Sequence, residues 1–314
     1  MNEKFSPLEI YERFRSDQID AKKAVQMLLF LIENSESQDV RKDCVNYLGK
    51  VTMGEKEEVV AILVNLMLSD YDNSVRLAAA TVLKNNHPLE AIEPMRWMIS
   101  HEPDYDCSVA ILELLGNINN IQAKLILIDK LQQIVKIKIV NKREKHQLVK
   151  YQKALVNLIE ESKVNNLHHE ELSEILVNYS TIDALIDKFV MVHYELDNCL
   201  VEELDLSELQ NNFVFRGQPY PTEISSINDI IGLYNLKRLK SLNISNNRIF
   251  DLRPLVNLKG LEKLNLSRNA LKEVEDIIPL KEMKSLKILN LSGNDVLGKL
   301  NLRNFINMEV ITYL

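Results

Sequence analysis

Three stretches near the carboxyl end of the sequence decide the fold: LKSLNISNNRI at 239–249, LEKLNLSRNAL at 261–271 and LKILNLSGNDV at 286–296. They share the pattern Leu-x-x-Leu-x-Leu-x-x-Asn-x-Leu, with Ile or Val in place of some leucines. The apolar alternation around the central leucine is typical of a short strand with one buried face. Units that recur at such spacings indicate a stack in which each repeat covers the apolar surface of its neighbour.

These units resemble leucine-rich repeats. The second unit starts 22 residues after Leu239, and the third starts 25 residues later at Leu286. The shorter form carries the segment Ile-x-x-Leu-x-x-Leu-x-x-Leu at 249–258, with a similar segment at 227–236. It resembles the subclass typified by the leucine-rich regulatory subunit of protein phosphatase 1 and by bacterial internalins. That resemblance implies a concave strand face that binds another protein. Three asparagines are expected to form a buried ladder of hydrogen bonds to the backbone of adjacent repeats: Asn247, Asn269 and Asn294.

Side chains between the framework leucines are expected to be exposed on the concave face, and they form our candidate protein-binding site. Its members are Ser241, Asn243, Ser245, Lys263, Asn265, Ser267, Arg268, Ile288, Asn290 and Ser292. Lys263, Arg268 and Ile288 depart from uniform Asn and Ser, so we expect them to carry any specificity.

Two flanking segments are predicted to add strands to this sheet. Val201-x-x-Leu204-x-Leu206 matches the start of a repeat without its asparagine. Met308-x-x-Ile311-x-Tyr313 matches the start of another, which places Ile311 at the position of the buried Leu289.

A second kind of repeat occupies the first third of the chain. The segments SESQDVRKDCVNYL (35–48), DYDNSVRLAAATVL (70–83) and EPDYDCSVAILELL (102–115) align with one another. Each begins with polar residues that can cap a helix and continues with apolar residues at helical spacing. They resemble HEAT repeats, including the short HEAT-like repeats of phycobilin lyases. The resemblance implies a solenoid of paired helices in which Arg41 and Arg76 bond an Asp or carbonyl groups of a neighbouring repeat.

We therefore predict a multidomain chain: an all-α HEAT-like solenoid followed by an α/β leucine-rich-repeat arc with a short parallel sheet. The solenoid is placed at residues 1–120, an irregular helical continuation or connector at 121–197, and the leucine-rich-repeat domain at 198–314.

The connector is predicted to be helical at 121–140, 142–162, 168–179 and 182–194. Its charges are uneven, because an acidic run at 195–208 follows a candidate basic patch. The patch consists of Lys136, Lys138, Lys142, Arg143, Lys145, Lys150 and Lys153.

Composition limits the kinds of partner. A formal net charge of −7 disfavours a protein devoted to nucleic acid, although a local basic patch leaves that partner open. The three cysteines are scattered, which favours a reducing compartment without a disulfide framework. The sequence starts without the apolar core of a signal peptide, and its apolar stretches are too short for a membrane span. We expect a soluble, cytoplasmic protein with a protein partner and no membrane.

Motifs that carry catalysis are missing from the sequence. It has no Gly-x-x-x-x-Gly-Lys, Gly-x-Gly-x-x-Gly or Gly-x-Ser-x-Gly segment. The run His168-His169-Glu170-Glu171 lacks the i, i+4 histidine pair of a zinc helix, and a helix N-terminus explains it better. We expect no enzymatic activity, no cofactor and no metal.

The predicted function is a non-catalytic intracellular scaffold or regulatory adaptor that binds proteins through concave repeat surfaces. One alternative is an RNA-associated factor that uses the basic stretch at 136–153. Another, implied only by the resemblance, is a phycobilin-lyase-like enzyme built on HEAT repeats.

Overall fold

The computed structural model describes residues 5–51, 57–137, 145–161, 163–189, 191–207, 214–215, 218–219, 223–299 and 309–312. Helices fill the first two thirds and short strands form a sheet at the carboxyl end, which confirms the predicted fold class. The chain divides into two compact units. The helical unit comprises Met1–Lys130 with Leu167–Ser173, and the sheet unit comprises Leu131–Asn166 with Glu174–Leu314. The boundaries predicted near residues 120 and 197 stay a prediction.

Paired helices build the helical unit. They are α1 (Pro7–Arg15), α2 (Ala21–Asn34), α3 (Gln38–Val51), α4 (Glu57–Ser69), α5 (Asn73–Asn86), α6 (Pro88–His101), α7 (Tyr105–Gly116) and the first part of α8 (Ile121–Lys136). Helices α3, α5 and α7 pack side by side in one layer. Helices α2, α4 and α6 each pack against the helix that follows them, and α4 also packs against α6. This is the two-layered solenoid that the repeat pattern predicts.

Helix caps and small residues explain why these segments pair. The Asp72 carboxylate accepts a hydrogen bond from the backbone N–H of Ser74 at the start of α5, at 2.9 Å. The Asp104 carboxylate accepts one from the N–H of Cys107 at the start of α7, at 2.8 Å. The alanines at 78–80 are buried where α5 meets its neighbours. The predicted core leucines are fully buried at 48, 83 and 115.

Two arginines join successive repeats, as predicted. The Arg41 guanidinium donates two hydrogen bonds to Asp70, at 3.1 and 3.0 Å, and two more to carbonyl oxygens just before α3. Arg76 donates two to Glu102, at 2.9 and 2.7 Å, and one to the carbonyl of Asp70. The side chains are 4 % and 6 % exposed in the first pair and 13 % and 3 % in the second. The aligned position of the third repeat holds Ser108, which has no guanidinium.

Buried thiols sit in both units. Cys44, Cys107 and Cys199 are buried and form no disulfide. Burial raises the pKa of the Cys44 and Cys107 thiols to about 12. These side chains therefore pack as small apolar groups in the described structure.

Helices of the connector differ from the prediction. The described elements are α9 (Val149–Glu160), preceded by the 3₁₀ turn Lys145–Leu148, and a single helix α10 (His169–Lys188). The prediction of two helices divided at Ser180-Thr181 is wrong. Thr181 donates a hydrogen bond to the carbonyl of Val177 at 2.8 Å, so its hydroxyl is satisfied inside a continuous helix. Residues 193 and 194, predicted as helix, belong to a strand.

A six-stranded sheet forms the sheet unit. Its strands are β1 (His193–Asp197), β2 (Leu200–Asp205), β5 (Ser241–Asn243), β6 (Lys263–Asn265), β7 (Ile288–Asn290) and β8 (Glu309–Ile311), while β3 (Val214–Phe215) and β4 (Gln218–Pro219) form a separate pair. The sheet order is β1-β2-β5-β6-β7-β8, with β1 antiparallel to β2 and the other pairs parallel. Short helical segments return the chain between strands: Ile227–Asp229, Leu233–Asn235, Arg253–Asn257, Val274–Ile277, Ile278–Glu282 and Asp295–Lys299.

The predicted asparagine ladder is confirmed. The side-chain oxygen of Asn269 accepts a hydrogen bond from the N–H of Ile249 at 3.0 Å, and that of Asn294 accepts one from the N–H of Asn269 at 3.0 Å. The Asn269 amide nitrogen donates to the carbonyl of Ile244 in the preceding repeat at 2.9 Å. Asn247 makes the equivalent bond to the N–H of Ile224 at 2.7 Å. The ladder therefore links backbone groups of successive turns.

The last strand exists as predicted, but its register is shifted by one residue. Val310 pairs with Leu289, and Ile311 pairs with Asn290. Ile311 therefore takes a position on the opposite face of the sheet from the buried leucines, because side chains alternate along a strand. The prediction that Ile311 takes the position of Leu289 is wrong.

Tyr151 anchors α9 to the β1–β2 hairpin. Its ring is fully buried and meets Tyr179 edge-on at 5.4 Å. Its hydroxyl lies 2.5 Å from the carbonyl oxygen of Cys199 and 3.3 Å from that of Ile175. One side chain thus joins α9, α10 and the hairpin turn.

We predict that Tyr151→Phe lowers the free energy of unfolding by about 1–2 kcal/mol, because a buried carbonyl loses its hydrogen-bond donor. Urea unfolding followed by circular dichroism measures the change. Tyr234→Phe is the matched control, since Tyr234 is 40 % exposed. Equal effects of the two substitutions would contradict the anchoring role.

Candidate functional site

Strand register arranges the exposed side chains of the sheet in rows. Pairing places one row across Glu203, Ser241, Lys263, Ile288 and Glu309. The next row runs across Asp205, Asn243, Asn265, Asn290 and Ile311. Leucines of the middle positions separate the rows and are buried. The rows follow the columns predicted from the sequence and extend them at both ends.

A groove of about 460 Å³ lies along these rows, and we call it the strand-face groove. It is lined by His193, Tyr194, Glu195, Glu203, Leu204, Asp205, Ser241, Leu242, Asn243, Lys263, Leu264, Asn265, Ile288, Asn290 and Ile311. Six of the ten predicted binding residues are among them: Ser241, Asn243, Lys263, Asn265, Ile288 and Asn290. The structure thus brings together most of the predicted face.

In the asparagine row (Asn243, Asn265 and Asn290), the side-chain oxygens bind the backbone of the chain itself, whereas two of the three amide nitrogens bind no described residue. The side-chain oxygens of Asn243, Asn265 and Asn290 accept hydrogen bonds from the N–H two residues later, at 3.2, 3.0 and 3.0 Å. This local turn explains why asparagine recurs where the chain leaves each strand. The Asn243 amide nitrogen donates to Asp205 at 2.9 Å. Within the described ranges, the amide nitrogens of Asn265 and Asn290 make no hydrogen bond, so they are available to a ligand.

Four predicted residues lie outside the groove lining: Ser245, Ser267, Arg268 and Ser292. The prediction of an exposed serine column is wrong at Ser245, which is 4 % exposed. Its row lies beyond the strand end, where the chain turns inward and the Ser245 carbonyl accepts a hydrogen bond from Asn247 at 3.0 Å. Ser267 and Ser292 are half-buried in the corresponding turns.

Arg268 occupies a left-handed turn position. Its φ is 54°, and the equivalent residues Asn246 and Gly293 have φ of 56° and 70°. A side chain such as arginine costs about 1–2 kcal/mol in this conformation, which Gly and Asn adopt more easily. Arg268 is exposed beside the turn and is not among the residues that line the groove, so its part in the concave face stays a prediction.

Acidic residues occupy one end of the groove, and sequence reasoning missed this arrangement. The β1–β2 hairpin places Glu195 opposite Glu203, and His193 opposite Asp205. Glu195 is paired with Lys150 and Glu202 with Lys240. Neither Glu203 nor Lys263 forms an ion pair with a described residue. The acidic run is visible in the sequence. Parallel pairing of β2 with β5 brings Glu203 and Asp205 to the face, and antiparallel pairing of β1 with β2 adds Glu195.

The candidate basic patch is described only in part. Lys136 and Lys153 are exposed, and Lys150 also donates to the carbonyl of Tyr194 at 3.0 Å. Lys138, Lys142 and Arg143 lie outside the described residues, as does the side chain of Lys145. The patch stays a prediction, with Lys150 engaged by the hairpin.

A second groove lies in the helical unit, with a volume of about 640 Å³. Its walls come from α1, α3 and α5. Tyr11 and Tyr47 stack there with ring centroids 4.8 Å apart, and the Lys50 ammonium lies over both rings. Sequence reasoning missed this groove because Tyr11 precedes the recognised repeats and meets Tyr47 only through helix packing.

The run His168-His169-Glu170-Glu171 lies at the start of α10. Glu171 accepts a hydrogen bond from the N–H of His168 at 2.7 Å, which confirms the helix-terminus interpretation of that run. The His169 ring contacts the carbonyl of Asn120 at 3.0 Å. Across the described ranges, no three His, Cys, Asp or Glu side chains come together in a way that could hold a metal ion. None of the described helices combines the length and apolar character that crossing a membrane requires.

Comparison with protein families agrees with both repeat types. A family model of HEAT repeats matches residues 15–84. A family model of leucine-rich repeats, comprising two copies, matches residues 237–278. HEAT and leucine-rich repeats are therefore both present in this chain. A comparison with curated proteins found no match. Repeats of these two kinds are typical of protein-interaction scaffolds and are generally non-catalytic.

Proposed function

We propose that this chain is a non-catalytic cytoplasmic scaffold or regulatory adaptor whose sheet unit binds a protein partner through the strand-face groove. The resemblance to the phosphatase-regulatory and internalin-like subclass supports this use of the face. The observation that carries the proposal is how the side chains of the sheet divide between the core and the groove. Framework leucines and ladder asparagines are buried or bonded internally, while the alternating side chains face the groove.

Groove size and chemistry favour a peptide segment as the bound element. Fifteen residues line the groove, whereas a standard protein interface involves about 20–30 residues on each side, so the groove is only the central part of such an interface. The lining mixes charges, amide groups and two isoleucines, which suits directional contacts to a polypeptide. The adaptor thus acts by surface complementarity, and a partner segment supplies the complementary side chains.

Selection from a random peptide library displayed on phage tests the proposal. The full chain is expected to enrich peptides that bind it, and Ser241→Arg is expected to weaken their binding about tenfold or more by filling the groove. Binding is measured by fluorescence polarisation with synthetic copies of the enriched peptides.

Asn257→Arg is the matched control, because it adds the same side chain at an exposed position outside the groove lining. It is expected to leave peptide binding unchanged. Enrichment of no peptide, or equal binding to the Ser241→Arg protein, would contradict the proposed function.

A further inference from the structure

Charged and apolar groups follow one another along the strand-face groove in a fixed order. Glu203 and Asp205 stand on β2, Lys263 on β6, Ile288 on β7 and Ile311 on β8, where Ile311 lies one row from Ile288. The strands are parallel neighbours in the order β2-β5-β6-β7-β8, so these groups succeed one another across the sheet. The groove lining therefore has an acidic end, a basic middle and an apolar end, and the exposed Glu309 next to Ile288 lies outside the lining.

We infer that the groove selects a peptide segment of the pattern basic-x-x-acidic-x-x-apolar, in either chain direction. This inference rests on the proposed function. The basic side chain lies at Glu203 and Asp205, the acidic one at Lys263, and the apolar one at Ile288 and Ile311. Charge complementarity supports this order, because Glu203 and Lys263 face the groove and form no ion pair with a described residue.

Spacing within the sheet fits this pattern. Neighbouring strands lie about 4.8 Å apart, so β2 to β6 and β6 to β8 are each about 10 Å. A polyproline-type peptide rises about 3.1 Å per residue and repeats every three residues, so its i and i+3 side chains lie about 9 Å apart on one side. When such a segment crosses the strands, every third side chain lies near the acidic end, the basic middle or the apolar end of the groove.

Backbone recognition uses the asparagine row. A polyproline-type backbone makes no internal hydrogen bonds, so its carbonyl oxygens need external donors. Asn265 on β6 and Asn290 on β7 line the groove one row from Lys263 and Ile288, and their side-chain amide nitrogens donate to no described residue. These two amides are the donors that a crossing peptide carbonyl would meet.

The test is a pair of selections from a random peptide library on phage. The wild-type chain is expected to enrich the basic-x-x-acidic-x-x-apolar pattern in one chain direction. The variant Glu203→Lys with Lys263→Glu keeps the net charge and is expected to enrich acidic-x-x-basic-x-x-apolar. Reversing Glu203 alone is expected to weaken the wild-type peptides about five- to tenfold at low salt. Exchanging the peptide's basic residue for Glu is expected to restore that binding, which a misfolded variant could not do.

The results of these selections distinguish failure of this inference from failure of the proposed function. Peptides that depend on Ser241 but keep the same charges on both proteins would overturn the inference and leave the proposed function standing. Selection of no groove-dependent peptide would overturn both. A charge pattern that inverts with the double variant supports the inference.

Discussion

Arg76→Ala is expected to lower the free energy of unfolding of the helical unit by about 3–5 kcal/mol, because it leaves a buried carboxylate without its partner. The Glu102 side chain is 3 % exposed and receives two hydrogen bonds from Arg76, at 2.9 and 2.7 Å. The same guanidinium also binds the carbonyl of Asp70, so two successive repeats lose a connection. Denaturant unfolding followed by the fluorescence of Trp97, the single tryptophan, measures the loss in this unit.

Arg96→Ala is the matched control for Arg76→Ala. Arg96 is 55 % exposed and its contacts with Glu93 and Asp129 are long, at 3.7 and 3.9 Å. Exposed pairs of this kind contribute about 0–1 kcal/mol, so the control is expected to change stability little. Similar losses for the two alanine variants would show that the buried pair does not join the repeats.

Acidic pH is expected to weaken the ion pair between Arg76 and Glu102. Burial by itself would raise the pKa of Glu102, but hydrogen bonds from Arg76 and from the N–H of Asp104 outweigh it and lower the pKa. A carboxyl whose pKa falls on folding stabilises the protein above its unfolded pKa of about 4.3, and this contribution is lost as pH falls through the folded value. The stability difference between wild type and Arg76→Ala should therefore shrink below about pH 4. A difference that stays constant in acid would contradict the role of the charged pair.

Asn269→Leu is expected to destabilise the sheet unit by about 1–3 kcal/mol for each backbone group left unpaired. The groups concerned are the N–H of Ile249 and the carbonyl of Ile244, both in the preceding repeat. A leucine of similar size fills the space but neither donates nor accepts a hydrogen bond. Thermal and urea unfolding monitored by circular dichroism measure the change.

Asn257→Leu is the control for the ladder substitution. Asn257 is exposed at the end of the helical segment Arg253–Asn257, so losing its amide is expected to change stability by about 0.5 kcal/mol or less. An Asn269→Leu protein with the melting temperature of the wild type would contradict the assignment of Asn269 to the ladder.

Repeat patterns predicted the parts of the structure whose contacts recur at fixed intervals. The ladder of Asn247, Asn269 and Asn294 follows from the repeat pattern, and the connections made by Arg41 and Arg76 follow from the resemblance to HEAT repeats, since each unit presents the same group to the next. Elements without a repeat were predicted less well. The continuous helix His169–Lys188 and the strand His193–Asp197 differ from the prediction, because the Thr181 hydroxyl is satisfied within the helix and pairing with β2 overrode the local helical signal.

The strand-face groove was likewise predictable only in part. Its rows were predictable because strand alternation fixes which side chains share a face. Its two ends were not predictable. At the acidic end, Glu195 joins Glu203 only through an antiparallel hairpin, and the apolar end depends on a one-residue shift that turns Ile311 toward the groove. A single-residue change of register reverses every side chain of a strand, and no composition or spacing reports it.

By itself, the sequence determined that this protein is built from two repeat types, which residues form their cores, and which asparagines and arginines join the repeats. Local periodicity carries that information because every repeat meets the same neighbour. Only the tertiary structure decided where Glu203, Lys263 and Ile311 stand relative to one another, which amide groups are left available, and that Tyr11 and Tyr47 share a groove. Those positions depend on register and helix packing between segments distant in the chain, which a pattern of adjacent residues does not encode.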